Sequence, residues 1–397
     1  MSSLDNCSYY PFRPVKMPKT SITIAVFIDA LGWRLAHEHG FLREELPYRG
    51  PLATIFGPGA TGDPTILTGL KPRDHGHFAL FTYDPSNSPF RKVLWPRLLP
   101  QFLTRRGRVR RWFGKKLSRY VRGNGDFEVR DTPFNLLRQL GYNDNRDLYE
   151  PNGAQATLFD DLRRQNVPFH VSDWRLDEEE NLAAARKEIA TGKPRLAYIF
   201  LPQLDILQQY EGTSSQKIIC KLGWYEQEIR DLIALAREHY DEVKVAAFSD
   251  HGMTDIRKEC ALMQIVSSLP LEFGEDYFAV YDATMARFWF HTKEAERLIG
   301  DALLHLSDGQ WLDDETLRSW GCDFPDGRYG DRIYLLKPGI LLNPSFMGRY
   351  RYAGMHGFDP AHEDSIAFFA TNEQNLPRPQ GLEDLRRVLS QSIGIAA

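Results

Sequence analysis

Five residues in this 397-residue chain, all of types that bind metal ions, stand close to apolar runs. Asp29 follows residues 22–28 in VFIDALGW, Asp205 follows residues 195–201 in YIFLPQLD, and Asp250 and His251 follow residues 243–248 in AAFSDHGM. His356 lies in GMHGFD, shortly before residues 365–370. Carboxylate oxygens and imidazole nitrogens together suit zinc or manganese. Each residue alone has an ordinary explanation. An Asp after a strand commonly caps a helix or closes a turn, and a single loop His is commonly just solvated. Their joint placement at strand ends favours a metal centre. SDHGM and GMHGF also share a His-Gly step, in which glycine lets the backbone approach closely while the imidazole faces a ligand.

A second constellation is GPGATGDPTILTGLKPRDHGHF, residues 57–78. Its glycines expose backbone N–H groups, and Asp63-Pro64 reads as a helix N-cap followed by proline at the first helical position. A helix start with free N–H groups accepts an anion; a plain loop and helix start is the competing explanation.

The elements that must carry these residues follow from the apolar pattern. Residues 22–28, 195–201, 243–248 and 365–370 are unbroken apolar runs, as expected of strands covered on both faces. Helical spacing marks residues 178–190, 216–240, 292–306 and 382–393. Strands alternating with helices predict an α/β fold with a central, mostly parallel sheet and helices on both faces. In such sheets ligands sit at the carboxyl ends of the strands. The whole chain, 1–397, reads as one domain with two insertions. Residues 92–149 form a basic helical cap, and residues 255–347 hold mixed, aromatic-rich material ending in a strand-like IYLL at 333–336.

Composition narrows the partners. Lys plus Arg is 49 and Asp plus Glu is 53, so the net charge of −4 argues against nucleic acid as a partner. Cys7, Cys220, Cys260 and Cys322 are dispersed, without CxxC, which predicts reduced thiols rather than a disulfide framework. Residues 1–20 lack the apolar stretch of a secretory signal, and no run of about 18 apolar residues predicts a membrane span. The expectation is a soluble, cytoplasmic protein. Residues 104–122 carry nine Lys and Arg and no acid, with a partial apolar stripe. They read as a cap in which Arg105 and Arg108 meet an anionic substrate. A solvated helix packed by its stripe and a weak membrane-surface contact are the alternatives.

The order and spacing of these motifs resemble the alkaline phosphatase superfamily, and within it the type I phosphodiesterase/nucleotide pyrophosphatase branch. The likeness rests on Asp29, on TGL-KP-xx-HG at residues 68–76, on LPQLD, on SDHGM and on GMHGFDP. It implies a two-metal site, commonly zinc, with one or two ions bound here and manganese as an alternative. Asp29, Asp250 and His251 would form one metal site, and Asp205 and His356 would serve the other. It further implies in-line displacement by a loop Ser or Thr, assisted by backbone N–H groups of Gly59 and Ala60, and an anionic small-molecule substrate, with nucleotides among the options. His75 would support the nucleophile loop.

Two departures stand out. Four residues after Asp205 the branch has a metal-binding His; here it is Gln209, a neutral and weaker ligand. The usual nucleophile position falls on Gly59, and Thr61 is the only hydroxyl from Gly57 to Pro64, which makes it the candidate nucleophile. Three functions follow. The first is metal-dependent hydrolysis of phosphodiester or phosphate/sulfate ester bonds. The second is transfer of a phosphoryl, sulfuryl or related group to a small-molecule acceptor in a biosynthetic pathway. The third is a degenerate, non-catalytic anion binder.

Overall fold

The structure, a computed structural model, describes residues 20–91, 112, 117, 132–134, 136–143, 148–150, 153 and 155–396. Most of the basic segment, including Arg105 and Arg108, lies outside the described residues, as does Cys7.

A six-stranded sheet forms the centre. Its order is Tyr48–Leu52, Ala367–Thr371, Glu242–Phe248, Ser21–Ile28, Leu196–Leu201, Phe169–Val171. The last four strands run parallel. Ala367–Thr371 is antiparallel to both of its neighbours. The expected fold, a mostly parallel sheet covered on both faces, is what the chain adopts. Seven of the eight residues in Ser21–Ile28 are buried, which is why this run shows no polar alternation.

Alternate residues of that strand feed two apolar layers. Ile22, Ile24, Val26 and Ile28 pack with Leu182, Ala185 and Ile189 of helix Glu178–Ile189 and with Leu222, Tyr225 and Ile229 of helix Gln216–His239. Ala25 and Phe27 pack with Ile66 and Leu67 of helix Gly62–Thr68 and with Val388 and Leu389 of helix Leu385–Ile393. The first helix starts sharply because Asp177 and Glu180 form a reciprocal capping box.

Residues 255–347 contribute a second, antiparallel sheet in the order Tyr277–Tyr281, Met285–Phe290, Arg332–Leu336, Gly309–Trp311. IYLL falls in its third strand. Arg287 is wholly buried there. Its guanidinium pairs with Asp282 at 2.8 Å and donates to the Phe81 carbonyl. A buried charge needs such partners, and the pairing pins the turn at residues 282–284. Among the described residues no helix is long and apolar enough to cross a membrane.

Candidate active site

Strand register brings the carboxylates together. Phe27 pairs with both Phe200 and Phe248, and Ile28 with Leu201. Three strands therefore end side by side at one sheet edge. Asp29 is the first residue past its strand, held by its N–H to the Leu201 carbonyl at 3.1 Å. The chain then turns at Ala30, whose φ of +60° is unusual for a residue with a Cβ. Asp250 orients its carboxylate by accepting from the backbone N–H of His251 at 3.0 Å. Asp205 lies one step further on, in the first turn of helix Gln203–Glu211.

His356 arrives by a different route. Gly354–Met355 pairs antiparallel with Thr254–Asp255, register Met355 with Thr254. The residues just past SDHGM thus pair with the start of GMHGF in one small ribbon. Its consequence is that the His251 and His356 rings stack, with centroids 4.0 Å apart and 11° between planes. Thr284 ties the second sheet to this point, its hydroxyl donating to the Gly357 carbonyl at 2.9 Å.

The metal-type donors therefore converge. His251 Nε2 is 3.3 Å from Asp250 Oδ2 and 3.6 Å from Asp29 Oδ1, and His356 Nε2 is 3.6 Å from Asp205 Oδ1. Two groups have ligand atoms within 4.8 Å of one another: Asp29, Asp250 and His251; and Asp205, His251 and His356. His251 stands in both. Its Nδ1 is 2.9 Å from the Gly252 carbonyl. A carbonyl only accepts, so Nδ1 carries the proton and Nε2 keeps its lone pair for a metal. Gln209 is beside the second group, its amide donating to Asp205 Oδ2 at 2.6 Å.

Electrostatics point the same way. Burial pushes the Asp29 carboxyl well above its ordinary range, and the charges of Asp250, Asp205 and Asp63 push it further. Such packing of like charges is relieved by a cation. The donor set, mixed carboxylate and imidazole with one ring nitrogen already oriented, fits divalent ions.

A cavity of about 240 Å³ opens over these groups, lined by Asp29, Asp205, Gln209, Asp250, His251 and His356 together with Gly59 and Ala60 from the glycine loop. Gly59 has φ +90°, and a Cβ there would come within 3.0 Å of His356 Cε1. Thr61 is buried and faces an adjoining recess lined also by Gly57, Gly62, Asp250, His251 and His356.

One local expectation is corrected. Asp63 does not cap the helix; Thr61 occupies that position, and the helix runs Gly62–Thr68. Gly62 makes this possible, because a Cβ there would meet Asp250 Oδ2 at 2.7 Å. Pro64 becomes the third helical residue, where its missing N–H costs nothing. Asp63 instead has its carboxyl turned toward the interior. Burial and the Asp250 charge raise it to about 7.

Two supports escaped sequence reasoning. Gln208 is buried, and its amide donates to the Ala30 carbonyl at 2.9 Å, fixing the turn that carries Asp29. Thr65 donates to the Thr61 carbonyl at 2.7 Å and lies 3.1 Å from His75 Nε2. His75 therefore reaches the loop through Thr65. Neither Gln208 nor Thr65 carries a signal in its local pattern; only the fold shows what each one holds.

An α/β sheet with paired carboxylate–imidazole clusters at its carboxyl edge places the protein in the alkaline phosphatase superfamily, whose phosphodiesterase branch is metal-dependent. The profile of the type I phosphodiesterase / nucleotide pyrophosphatase family matches residues 60–359, and the chain belongs to that family. No curated protein matches it in sequence. Solved structures do. Human ectonucleotide pyrophosphatase/phosphodiesterase 5 is similar with TM-score 0.67 at 14% identity, over 95% of this chain and 96% of that one. The murine protein, an inactive threonine-to-alanine variant in complex with AMP, is similar with TM-score 0.67 at 15% identity over the same shares. At these identities the likeness speaks for the fold.

Proposed function

We propose that this chain hydrolyses phosphodiesters at a zinc-type centre, with attack at phosphorus. The observation that carries the reading is the meeting of two ligand groups at His251, beneath a cavity floored by the glycine loop. Asp29, Asp250 and His251 would hold one ion. Asp205 and His356, with His251 or Gln209, would hold the other. Bound divalent ions supply Lewis-acid polarisation of the phosphoryl group and a lowered pKa for the attacking hydroxyl. The chain does the rest. Gly59 and Ala60 bring backbone close to the phosphoryl oxygens, Thr61 offers the nucleophile, and Thr65 with His75 holds the loop. The AMP complex of the murine relative supports a nucleotide-type anion as substrate.

One observation favours a second reading. The residue beside His356 is Gly59, in a left-handed conformation that disfavours a side chain. With no hydroxyl at that point, direct attack by water or by a dedicated acceptor becomes the route, and where the acceptor takes the place of water the protein becomes a group transferase. The dispersed, unpaired Cys220, Cys260 and Cys322 support the cytoplasmic setting expected for either.

The test is turnover of bis(4-nitrophenyl) phosphate by zinc-loaded protein. Wild type releases 4-nitrophenol. Asp250→Ala loses at least about 100-fold, beyond what loss of an outer-shell partner gives. Full activity in that variant sinks the proposal. Thr61→Ala falls as far if Thr61 attacks; unchanged turnover in it moves the chemistry to direct attack.

A further inference from the structure

Ala30 has φ +60° although it carries a Cβ and is wholly buried. A non-glycine residue in the left-handed region is strained, and such strain persists only where the surroundings over-determine the backbone. Here they do. The Asp29 N–H donates to the Leu201 carbonyl at 3.1 Å, and the Ala30 N–H donates to Asp250 Oδ1 at 3.4 Å. The Leu31 carbonyl accepts from the hydroxyl of Ser249, the neighbour of Asp250, at 2.7 Å. The Ala30 carbonyl accepts twice, from the Gly32 N–H at 2.9 Å and from Gln208 Nε2 at 2.9 Å. Asp29 and Asp250, two of the three residues in the first metal group, are therefore both attached to this turn.

Of these anchors, only the Gln208 amide reaches in from a helix. That helix, Gln203–Glu211, carries Asp205 of the second metal group three residues earlier. Leu204 and Gln208 are its two buried residues, four apart on one face. Packing alone favours a second apolar side chain at such a position. A buried amide costs free energy unless it is hydrogen-bonded, and the bond this one makes is to the strained turn. The helix is itself held from the other side. Gly354 runs so close that a Cβ there would meet the Gln208 carbonyl at 2.7 Å, and the Ala353 N–H donates to the Gln209 carbonyl at 2.8 Å. The amide thus joins the turn of Asp29 to a helix that the His356 ribbon keeps in place.

We propose that Gln208 is a positioning residue for the first ion: it holds the Ala30 turn in its strained form and so keeps Asp29 and Asp250 placed for a cation shared with His251. The inference rests on the metal-centre reading above and adds what sets the affinity of that centre. Gln208 touches neither carboxylate. It acts through the Ala30 backbone, and without its donor the turn is free to relax toward negative φ and carry the Asp29 carboxylate with it.

The test measures zinc affinity by competition with a chromophoric chelator, beside the melting temperature of the metal-free forms. Gln208→Met keeps the length of the side chain and removes the donor. It also leaves filled the space next to a cavity of about 290 Å³ that Gln208 lines. This variant binds its tightest zinc ion about tenfold more weakly, the low end of what loss of an outer-shell partner gives. Gln208→Asn, whose amide is one methylene short of the carbonyl, shows the same loss. Adding Ala30→Gly to Gln208→Met restores the affinity to within about threefold of wild type, because glycine takes the left-handed turn without strain and no longer needs the amide. A role in packing alone would lower the metal-free melting temperature and leave the zinc affinity of the folded protein as it was. Unchanged affinity in either folded Gln208 variant, or a loss that Ala30→Gly does not restore, overturns the positioning role and leaves the metal-centre reading standing. Wild type that binds no zinc overturns both.

Discussion

Gln209 is the residue on which the stoichiometry of the centre turns. It lies beside Asp205 and His356 but offers a neutral amide, already engaged as a donor to Asp205 at 2.6 Å. Imidazole binds zinc far better than an amide oxygen does. Gln209→His should therefore raise bound zinc from about one to about two ions per chain, read by elemental mass spectrometry on dialysed protein. Two ions in wild type, with no change in the variant, would show that His251 and His356 complete the second group unaided. Of the five candidate ligands, Asp29, Asp205, Asp250 and His251 were legible because each is a metal-binding type within a few residues past an apolar run, and strand ends in a parallel sheet share an edge; His356 was legible only from the His-Gly step it shares with His251. Thr61 was legible only as a hydroxyl in the right loop. Its place at the helix start, and the inward turn of Asp63, depend on how near Gly62 lies to Asp250. That distance is a tertiary quantity and leaves no trace in local pattern.

At the scale of elements, the loop before helix Gly62–Thr68 is held through a relay whose protonation is set by geometry. The Thr65 hydroxyl donates to the Thr61 carbonyl, so His75 Nε2 must donate to Thr65; the His77 N–H donates to His75 Nδ1 at 3.1 Å. The ring is thus neutral with its proton on Nε2, and a second proton on Nδ1 would face the His77 N–H. Burial, aided by the neighbouring His77, lowers this group to about 3. In the unfolded chain the same ring titrates near 6.5. Below that value the unfolded state gains a proton that the folded state refuses. The stability His75 contributes is therefore complete above pH 6.5 and is lost as pH falls toward 3, by up to about 1.4 kcal/mol per unit. Urea unfolding at pH 7.5 and 5.0 should show a smaller acid loss in His75→Gln than in wild type; equal losses would refute the relay. The core strands and long helices were readable because unbroken apolar runs and three-to-four spacing have few alternatives at that length. Of the second sheet only IYLL was. Tyr277–Tyr281 and Met285–Phe290 are buried as the core strands are, but Asp282 and Arg287 interrupt their apolar pattern, and only the tertiary pairing of these two charges shows why a buried hairpin can hold them. Nor does an apolar run such as residues 365–370 state its direction, and Ala367–Thr371 runs antiparallel to both neighbours.

For the molecule as a whole, the candidate ligands come from distant parts of the chain. Asp29, Asp205 and Asp250 hang from the central sheet and the helix beside it, whereas His356 hangs from the ribbon that the second sheet braces through Thr284. An ion in the second group, which joins Asp205 and His251 to His356, would therefore fasten the two layers together. Asp29 is buried beside Asp250 and Asp205, and burial first, with their charges adding to it, holds its carboxyl well above the ordinary range. The unfolded chain has no such assembled site, so zinc held at these groups would bind the folded state alone and stabilise it by mass action. The gain is about 2.7 kcal/mol at 100 times the dissociation constant and grows by about 1.4 kcal/mol for each further tenfold. Melting curves of chelator-treated protein should accordingly shift upward by nearly equal steps for each tenfold rise in free zinc above the dissociation constant. Asp250→Ala, which removes a ligand from the first group, should flatten that series while keeping a cooperative transition. A melting temperature independent of zinc in wild type would mean that these carboxylates and imidazoles hold no zinc ion, and the convergence of four chain segments at the cavity would need another cause.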